Sequence, residues 1–251
     1  MNAEIISVGT ELLLGQVLNT DAQFLSQELA TLGIDVYFHT VVGDNKKRLL
    51  QALRTAQKRA DIIIMTGGLG PTKDDLTKET VAEYLNLELV LHEKSMENIK
   101  SYFVKMNRHF TGSRYKQAMF PKGALIFPND YGTAPGCMLR ETGHTYIMLP
   151  GPPSELRPMF FKYIRNHLTS ISSTKIYTRL IKTYGIGELS VEDKLRDLFI
   201  NQKNPTIASL VEQAGVTLRI TAKASSEDEA KEMIYPMIET IKDRLADAVF
   251  G

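Results

Sequence analysis

The segment IIIMTGGLGPTKDD, from Ile62 to Asp75, constrains the fold more than any other part of the sequence. Its opening run of apolar residues predicts a strand buried on both faces, which is typical of a parallel sheet. Strand patterns in EIISVG and IDVYFHTVV alternate with helical patterns in TDAQFLSQELATLG and KKRLLQALRTAQKR. This alternation predicts an α/β fold, a three-layer sandwich with a mostly parallel sheet.

Two domains are expected along the chain. Residues 1–168 form the α/β domain, and the polar, serine-rich segment TSISSTK, residues 169–175, is predicted to be the linker. Residues 176–251 follow the order β-α-β-β-α, which predicts a small α+β domain with a strand turn at Gln213 to Gly215. Two prolines predict irregular helices: Pro158 in SELRPMFFKYIRNHL and Pro236 in the last helix.

Composition excludes several classes of protein. The net charge of +1 gives no overall field for nucleic acid or membrane surfaces. The single cysteine, Cys137, rules out an internal disulfide framework and a cysteine zinc site. No apolar run approaches the length of a membrane span, and the start MNAEIISV lacks the pattern of a signal peptide. We therefore expect a cytoplasmic protein with no nucleic-acid and no membrane partner.

The glycine loop after the central strand is a candidate phosphate site. It comprises Thr66, Gly67, Gly68, Gly70, Pro71 and Thr72. Glycines let backbone N–H groups approach a ligand closely, and a helix start favours an anion. A plain strand-to-helix turn explains the glycines equally well. Asp74 and Asp75 follow directly; they either cap the next helix or hold a divalent cation that separates carboxylate from phosphate.

Two further loops should open on the same edge of the sheet. In the first, Gly9, Thr10 and Glu11 follow the first strand, and Glu11 sits too early in the loop to be a helix cap. Asn19 and Thr20, next to Asp21, are either ligand contacts or caps of the following helix. In the last loop, Gly151 and Pro152 belong to the run PGPPSEL, which forms either a rigid ligand wall or a stiff turn before a helix capped by Ser154. Asp44 is the candidate cap of the helix between the second and third strands.

Three motifs in this order resemble the N-terminal part of the CinA family, the competence/damage-inducible proteins: EIISVGTELLLGQVLNTDAQF, TGGLGPTKDDLTKETVA and LPGPPSEL. The core resembles the molybdopterin-binding fold of MoaB, MogA and MoeA. The segment GIGELSVEDKL with IASLVEQAGVTLRITAK resembles the family's KH-type domain, but no GXXG clamp loop is present, so RNA binding is not implied. Many members continue into a nicotinamide mononucleotide deamidase domain; this sequence stops at ADAVFG, where that domain would begin.

The resemblance implies hydrolysis of the diphosphate bond of ADP-ribose to AMP and ribose 5-phosphate, with a divalent metal ion (Mg, Mn or Co). Asp75, Asp74 and Glu11 would be the metal ligands, and Asp75, Glu11 and Lys73 the catalytic residues. Adenylyl transfer to molybdopterin and non-catalytic nucleotide binding are the alternatives. The partner is then a small-molecule nucleotide. Relatives of this fold self-associate, so we expect a homodimer or a higher homo-oligomer.

Overall fold

The computed structural model describes residues 1–107, 112–171, 175–212 and 215–250. It divides into two compact units. The first unit comprises Met1–Ala30 with Ile34–Ile171, and the second comprises Ser172–Gly251 with the short segment Thr31–Gly33. Within the described ranges, every helix is too short or too polar to cross a lipid bilayer.

The first unit has eight strands and seven helices in the part of the chain that the structure describes. The strands are β1 Asn2–Val8, β2 Asp35–Val42, β3 Ile62–Thr66, β4 Leu89–Leu91, β5 Met119–Pro121, β6 Leu125–Phe127, β7 Gly136–Glu141 and β8 His144–Leu149. The helices are α1 Thr10–Leu13, α2 Thr20–Thr31, α3 Lys46–Gln57, α4 Thr77–Tyr84, α5 Glu93–Lys105, α6 Pro153–Met159 and α7 Arg165–Ile171. A 3₁₀ segment covers Gly112–Ala118, and one wide π turn joins α6 to α7 over Phe160–Ile164.

A six-stranded sheet in the order β2-β1-β3-β8-β7-β6 forms the middle layer of this unit. The first four strands are parallel to one another. β7 pairs antiparallel with both of its neighbours, β8 and β6. The parallel register aligns Val8 with Val42, and Thr66 with Leu149. Ser7, one residue before the end of β1, pairs with Thr66. The carboxyl ends of β1, β2, β3 and β8 therefore meet at one edge of the sheet, where open α/β sheets bind ligands.

Helices cover both faces of the sheet. Successive strand residues point to opposite faces, so neighbouring apolar residues in β1 and β3 serve two cores. On one face, Ile6 and Met65 pack in one cluster with Leu49 and Leu53 of α3 and with Val81 of α4. Ile5 and Ile64 point to the opposite face by this alternation and are fully buried. Fully buried side chains also occur in α2 and in the α6–α7 region: Leu25, Leu29, Leu156, Phe160 and Leu168. This arrangement confirms the prediction of a three-layer α/β fold with a mostly parallel sheet.

Several predicted helix starts are wrong by one or two residues. Asn45, not Asp44, caps α3, because its side chain accepts a hydrogen bond from the Arg48 amide at 3.1 Å. The cap position of α4 is Leu76, so neither aspartate of the glycine loop caps that helix. In α6 the cap position is Pro152, and Ser154 lies inside the helix. Asp44 and Asp75 are good capping residues by type, but their carboxylates accept hydrogen bonds from Thr10 and Thr72 instead.

Pro158 lies in α6, and the π turn begins two residues later, so the predicted irregularity is confirmed. The three-residue strands β4 and β5 form a small antiparallel sheet that the sequence pattern did not predict. A run of three residues is too short to show the alternation on which strand prediction depends.

The second unit follows the predicted order β-α-β-β-α, except that the first helical segment is divided into two short helices. It consists of β9 Lys175–Lys182, α8 Glu188–Lys194, α9 Arg196–Asn201, β10 Thr206–Glu212, β11 Gly215–Ala224 and α10 Glu227–Leu245. Its antiparallel sheet has the order β10-β11-β9, and apolar residues of α8 and α10 pack with those of the sheet in one core. Of the predicted linker, residues 169–171 belong to α7, Lys175 begins β9, and residues 172–174 lie outside the described residues. Residues 213–214 of the predicted strand turn also lie outside them.

One detail of the second unit differs from the sequence predictions. Pro236 does not interrupt α10, which runs through it for 19 residues. Pro236 is exposed, so water can satisfy the carbonyl group that loses its helical donor.

Candidate functional site

A cleft of about 560 Å³ opens at the sheet edge where β1, β2, β3 and β8 end. The loop after each of these four strands contributes to the walls of the cleft. One lining residue from each loop is Gly9, Asp44, Gly67 or Gly151, respectively. Its volume lies within the range of roughly 300–1,000 Å³ typical of small-molecule sites. The parallel register thus brings together segments that are far apart in the sequence.

The glycine loop is held tightly at its first residue. Gly67 has φ +89°, and a Cβ there would lie 2.2 Å from the carbonyl oxygen of Val8. Its amide donates to the carbonyl of Leu149 at 3.0 Å, and a Cβ on Gly151 would lie 3.4 Å from the Gly67 Cα. Only glycine fits at position 67, because both the backbone conformation and the neighbouring strand exclude a side chain.

Only part of the loop can offer amides to a phosphate. The Gly67 amide is used by Leu149, and the Thr72 amide donates to Asp75 Oδ2 at 2.9 Å. In the described part of the chain, the Gly68 and Gly70 amides have no protein acceptor. These two amides are therefore the loop's candidate phosphate donors.

Asp75 is oriented by the loop itself. Its Oδ2 accepts from both the amide and the hydroxyl of Thr72, the hydroxyl at 2.5 Å. The carboxylate also stands where a side chain at position 70 would be, within 2.5 Å of a Cβ built on Gly70. Asp74 and Asp75 both line the cleft, whereas Thr72 and Lys73 do not. Thr72 acts on the cleft through Asp75, and Lys73 is exposed outside it.

The loop after β1 places Glu11 in the cleft. A Cβ on Gly9 would lie 2.3 Å from the Glu11 Oε1, so the carboxylate folds over the glycine. Thr10 does not line the cleft. Its amide and hydroxyl donate to Asp44 Oδ2 at 2.8 and 2.7 Å, and this contact fixes a cleft carboxylate that follows β2. Asp44 was predicted as a helix cap; the contact with Thr10 explains why it serves the cleft instead.

Asn19 combines the two predicted roles. Its side-chain oxygen accepts from the Ala22 amide at 3.2 Å in the first turn of α2. Its Nδ2 donates to the Ser7 hydroxyl of β1 at 3.0 Å, which ties the helix start to the end of the strand. Both Asn19 and Thr20 line the cleft.

Asp21, next in the chain, is a buried carboxyl in the cleft wall. It is 8% exposed, and its Oδ1 has no hydrogen-bond partner in the described structure. Burial raises the pKa of Asp21 to about 6, although the attraction of Arg157 opposes the shift. Near neutral pH this group is thus close to its own titration point.

The opposite wall comes from the run Pro150–Pro153 and from α6. Glu155, in the first turn of α6, accepts a 2.6 Å hydrogen bond from Asn129 Nδ2. Burial raises the pKa of Glu155, and this hydrogen bond lowers it. Gln117 lines the same cleft; its Nε2 donates to the Thr133 hydroxyl at 3.0 Å, and its buried Oε1 has no partner in the described residues.

The buried side chain of Lys78 positions Gln117. The ammonium donates to the carbonyl oxygens of Lys116 and Gln117, at 3.1 and 2.8 Å, and lies 4.2 Å from the centre of the Phe120 ring. Burial lowers the pKa of Lys78 to about 8. This lysine therefore connects α4, which follows the glycine loop, to the segment that carries Gln117.

Carboxylates dominate the electrostatics of the cleft. Among the described residues that line it, six are acidic and none is Lys, Arg or His: Glu11, Asp21, Asp44, Asp74, Asp75 and Glu155. Lys116 lies beside the glycine loop: its ammonium donates to the Thr72 carbonyl at 3.0 Å and pairs with Glu79 at 3.4 Å. A diphosphate entering this cleft would meet like charge on several sides.

The carboxylates suit a hard divalent cation by their chemistry but form no complete centre by themselves. Across residues 1–107, 112–171, 175–212 and 215–250, no three His, Cys, Asp or Glu side chains are grouped as metal ligands. Magnesium is usually held by one or two carboxylates together with substrate phosphates. The cleft residues fit a site of this kind, in which the phosphates of the ligand complete the coordination of the metal ion.

The structure brings most of the predicted site residues to one cleft. Those that line it are Gly9, Glu11, Asn19, Thr20, Thr66, Gly67, Gly68, Gly70, Pro71, Asp74, Asp75, Gly151 and Pro152. Sequence reasoning missed Asp44, Glu155 and Gln117 as cleft residues. Asp44 follows a strand of the same sheet, which could have identified it. Gln117 follows none of the strands whose carboxyl ends form the cleft, and it gave no signal.

The whole chain is similar to known proteins. A family model described as "Probable molybdopterin binding domain" matches residues 4–170, and a CinA KH-domain model matches residues 178–251. A competence-damage inducible protein of Bacillus cereus (strain AH820) is 52% identical over 252 aligned residues, and one of Bacillus mycoides (strain KBAB4) is 51% identical. Both alignments cover 100% of this chain and 61% of the relative, so the chain spans less than two thirds of these proteins.

A solved structure of the protein CinA from Thermoplasma acidophilum, described as of unknown function, is 33% identical. It matches with a TM-score of 0.61, and the alignment covers 66% of this chain and 97% of that one.

Proposed function

The chain belongs to the CinA family of competence/damage-inducible proteins, and we propose that its first unit binds a small molecule with a diphosphate group in the cleft and hydrolyses it. The proposed substrate is ADP-ribose, which gives AMP and ribose 5-phosphate. The proposed cofactor is a divalent cation, Mg, Mn or Co. The domain that the family model matches, residues 4–170, contains the whole cleft.

The proposal rests on one observation, the conflict between the donors and the charges of the cleft. The free amides of Gly68 and Gly70 suit a phosphate oxygen. The six carboxylates around them repel one, and no lining cation compensates among the described residues. Two unit charges 4 Å apart interact by about 4 kcal/mol at an effective dielectric constant of 20. A divalent cation between carboxylates and diphosphate turns this repulsion into attraction.

The side chains divide the work as follows. Asp75, with Asp74 and Glu11, would hold the cation, and Thr72 keeps the Asp75 carboxylate in place. Such an ion, when bound, neutralises phosphate charge and lowers the pKa of a coordinated water. Gly68 and Gly70 hold a phosphate oxygen through their amides. Asn19, fixed by Ser7, orients the nucleotide together with Thr20.

The test is product analysis with variants. The chain is incubated with ADP-ribose and each of the three metals, and AMP and ribose 5-phosphate are quantified. We expect Asp75→Asn to lower turnover at least 100-fold, in the range found when a catalytic electrostatic group is removed. Asp193→Asn, at an exposed ion pair of the second unit, is the matched control and should keep full turnover. Equal turnover by Asp75→Asn and the parent chain would refute the metal assignment.

A second candidate is molybdopterin binding, which the family model on residues 4–170 favours, and with it adenylyl transfer to the pterin as the proposed reaction. Both reactions need phosphate, a cation and a flat heterocycle, so the cleft alone does not separate them. Incubation with ATP and a molybdopterin source, followed by mass spectrometry, gives an adenylylated pterin only in the second case. Binding of ADP-ribose without any product would indicate a nucleotide-binding protein that is not an enzyme. Self-association as a homodimer stays a prediction.

A further inference from the structure

An unusually exposed apolar segment borders the cleft. Residues 12–18 read LLLGQVL. Leu13, Leu14, Val17 and Leu18 are 53%, 66%, 54% and 83% exposed. Single exposed apolar residues are common, but four within six residues are a patch that calls for a binding partner.

This exposure is fixed by the backbone. Leu14 and Gln16 donate to the carbonyls of Thr10 and Glu11, at 3.1 and 3.0 Å, so the chain turns back on α1. Gly15 takes φ +69°, which continues the turn without strain. The backbone of the segment is thus held in place by its own hydrogen bonds.

The segment has two sides. Leu12, Val17 and Leu18 line the cleft, and we name them the apolar rim; Leu13 and Leu14 do not line it. The rim lies directly before Asn19 and Thr20 in the chain, and Glu11 lies directly before Leu12. Apolar surface and hydrogen-bonding groups therefore meet at one end of the cleft.

We propose that the apolar rim is the subsite for the flat heterocyclic ring of the ligand, with Leu18 as its main contact. This inference rests on the proposed function, because it assumes that a phosphate-bearing ligand enters the cleft. A cleft of about 560 Å³ has room for much more than a phosphate group. A planar ring offers an apolar face to Val17 and Leu18, and polar ring edges to Asn19 and Thr20. A sugar alone would leave Leu18 without an apolar partner.

The ring's contribution is measured with two ligands that differ only in the base. AMP and ribose 5-phosphate carry the same sugar and phosphate, and both are titrated calorimetrically in the presence of magnesium. We expect the parent chain to bind AMP more tightly than ribose 5-phosphate. Leu18→Ser should weaken AMP binding about tenfold, because that factor corresponds to the free energy of burying most of one leucine side chain. Affinity for ribose 5-phosphate should change less than twofold.

Leu14→Ser is the matched control, because Leu14 is exposed in the same segment but lies outside the cleft lining. It should leave both affinities unchanged. Equal affinity of the parent chain for the two ligands, or equal losses in the two variants, overturns the inference. So does a change of sedimentation coefficient in Leu18→Ser with unchanged AMP affinity, which would assign the rim to a second copy of the chain. Absence of ADP-ribose hydrolysis, with the AMP preference intact, would instead refute only the catalytic part of the proposed function.

Discussion

The Thr77 hydroxyl donates a 2.8 Å hydrogen bond to the carbonyl oxygen of Gly67, and both groups are buried. The Thr77 amide also donates to the Gly68 carbonyl at 3.1 Å. Thr77, the first residue of α4, thus holds the glycine loop through its carbonyl groups, and it leaves the Gly68 and Gly70 amides free. The conformation that exposes these amides is set by the protein before any ligand arrives.

Thr77→Val removes the hydroxyl and keeps the shape of the side chain. It leaves the buried Gly67 carbonyl without its donor, so we expect the free energy of unfolding to fall by about 2 kcal/mol. Thr77→Ser keeps the donor and should lose less than half of that amount. Urea denaturation of the two variants measures the difference. Equal losses would mean that packing of the methyl group, and not the hydrogen bond, holds the loop.

Gly67→Ala tests the close approach of the loop to β1. The new Cβ would sit 2.2 Å from the Val8 carbonyl oxygen, at a φ of +89°. We expect a loss of about 3 kcal/mol or more in unfolding free energy, since backbone strain and a steric clash add. Gly143→Ala is the control: φ is +82°, but no atom lies within 4 Å of the new Cβ. It should cost about 1 kcal/mol, the strain alone. Similar losses would contradict the clash.

Glu4 of β1 and Arg59 form a bidentate ion pair. Glu4 is 1% exposed and accepts from Arg59 Nε and from a terminal guanidinium nitrogen, both at 2.8 Å. Arg59→Met leaves the buried carboxylate without its counter-charge, with only the Thr40 hydroxyl as a donor at 2.6 Å, and should lower the unfolding free energy by about 3 kcal/mol. Adding Glu4→Met should recover most of that loss, because the unpaired charge is gone. Thermal and urea unfolding of the three variants gives the coupling; purely additive losses would exclude it.

Asp21 should make stability depend on pH. Its pKa of about 6 lies above the ordinary value of 3.8, so between these values the folded state binds more protons than the unfolded chain. The free energy of unfolding therefore falls as the pH rises through this window, and the cost of the buried charge is complete above pH 6. We expect Asp21→Asn to stabilise the chain at pH 7.5 by about 1 kcal/mol and to flatten the profile between pH 4 and 6. Asp243 is exposed, so Asp243→Asn should change neither the stability at pH 7.5 nor its dependence on pH. An unchanged pH profile in Asp21→Asn would contradict the assignment of this pH dependence to Asp21.

The alternation of strands and helices was predictable because long, periodic segments carry their own signal. The buried run Ile62–Met65 identified the parallel sheet, and the sheet in turn predicted that the loops after β1, β3 and β8 share one edge. Asn19 and Glu11 were found by the same reasoning. Lys73 was chosen only for its position beside the aspartates, and its side chain lies outside the cleft.

The features that could not be predicted depend on contacts between residues far apart in the sequence. Asp44 is a good capping residue by type, but Thr10, 34 residues earlier, binds its carboxylate. Thr72 was expected to bind phosphate as part of the glycine loop, yet its amide donates to Asp75. Gln117 reaches the cleft because buried Lys78 holds its backbone carbonyl from 39 positions away. Such contacts depend on the finished packing, which no local pattern records.

The acidic lining of the cleft also bears on how fast a ligand arrives. Sites that bind phosphate through lysine or arginine attract their ligands from a distance, and added salt slows the encounter. Here the sign is opposite: an uncomplexed diphosphate is repelled at the entrance, and salt should speed its arrival by screening the carboxylates. Under the proposed function, the species expected to enter most readily is the nearly neutral complex of the nucleotide with a divalent cation.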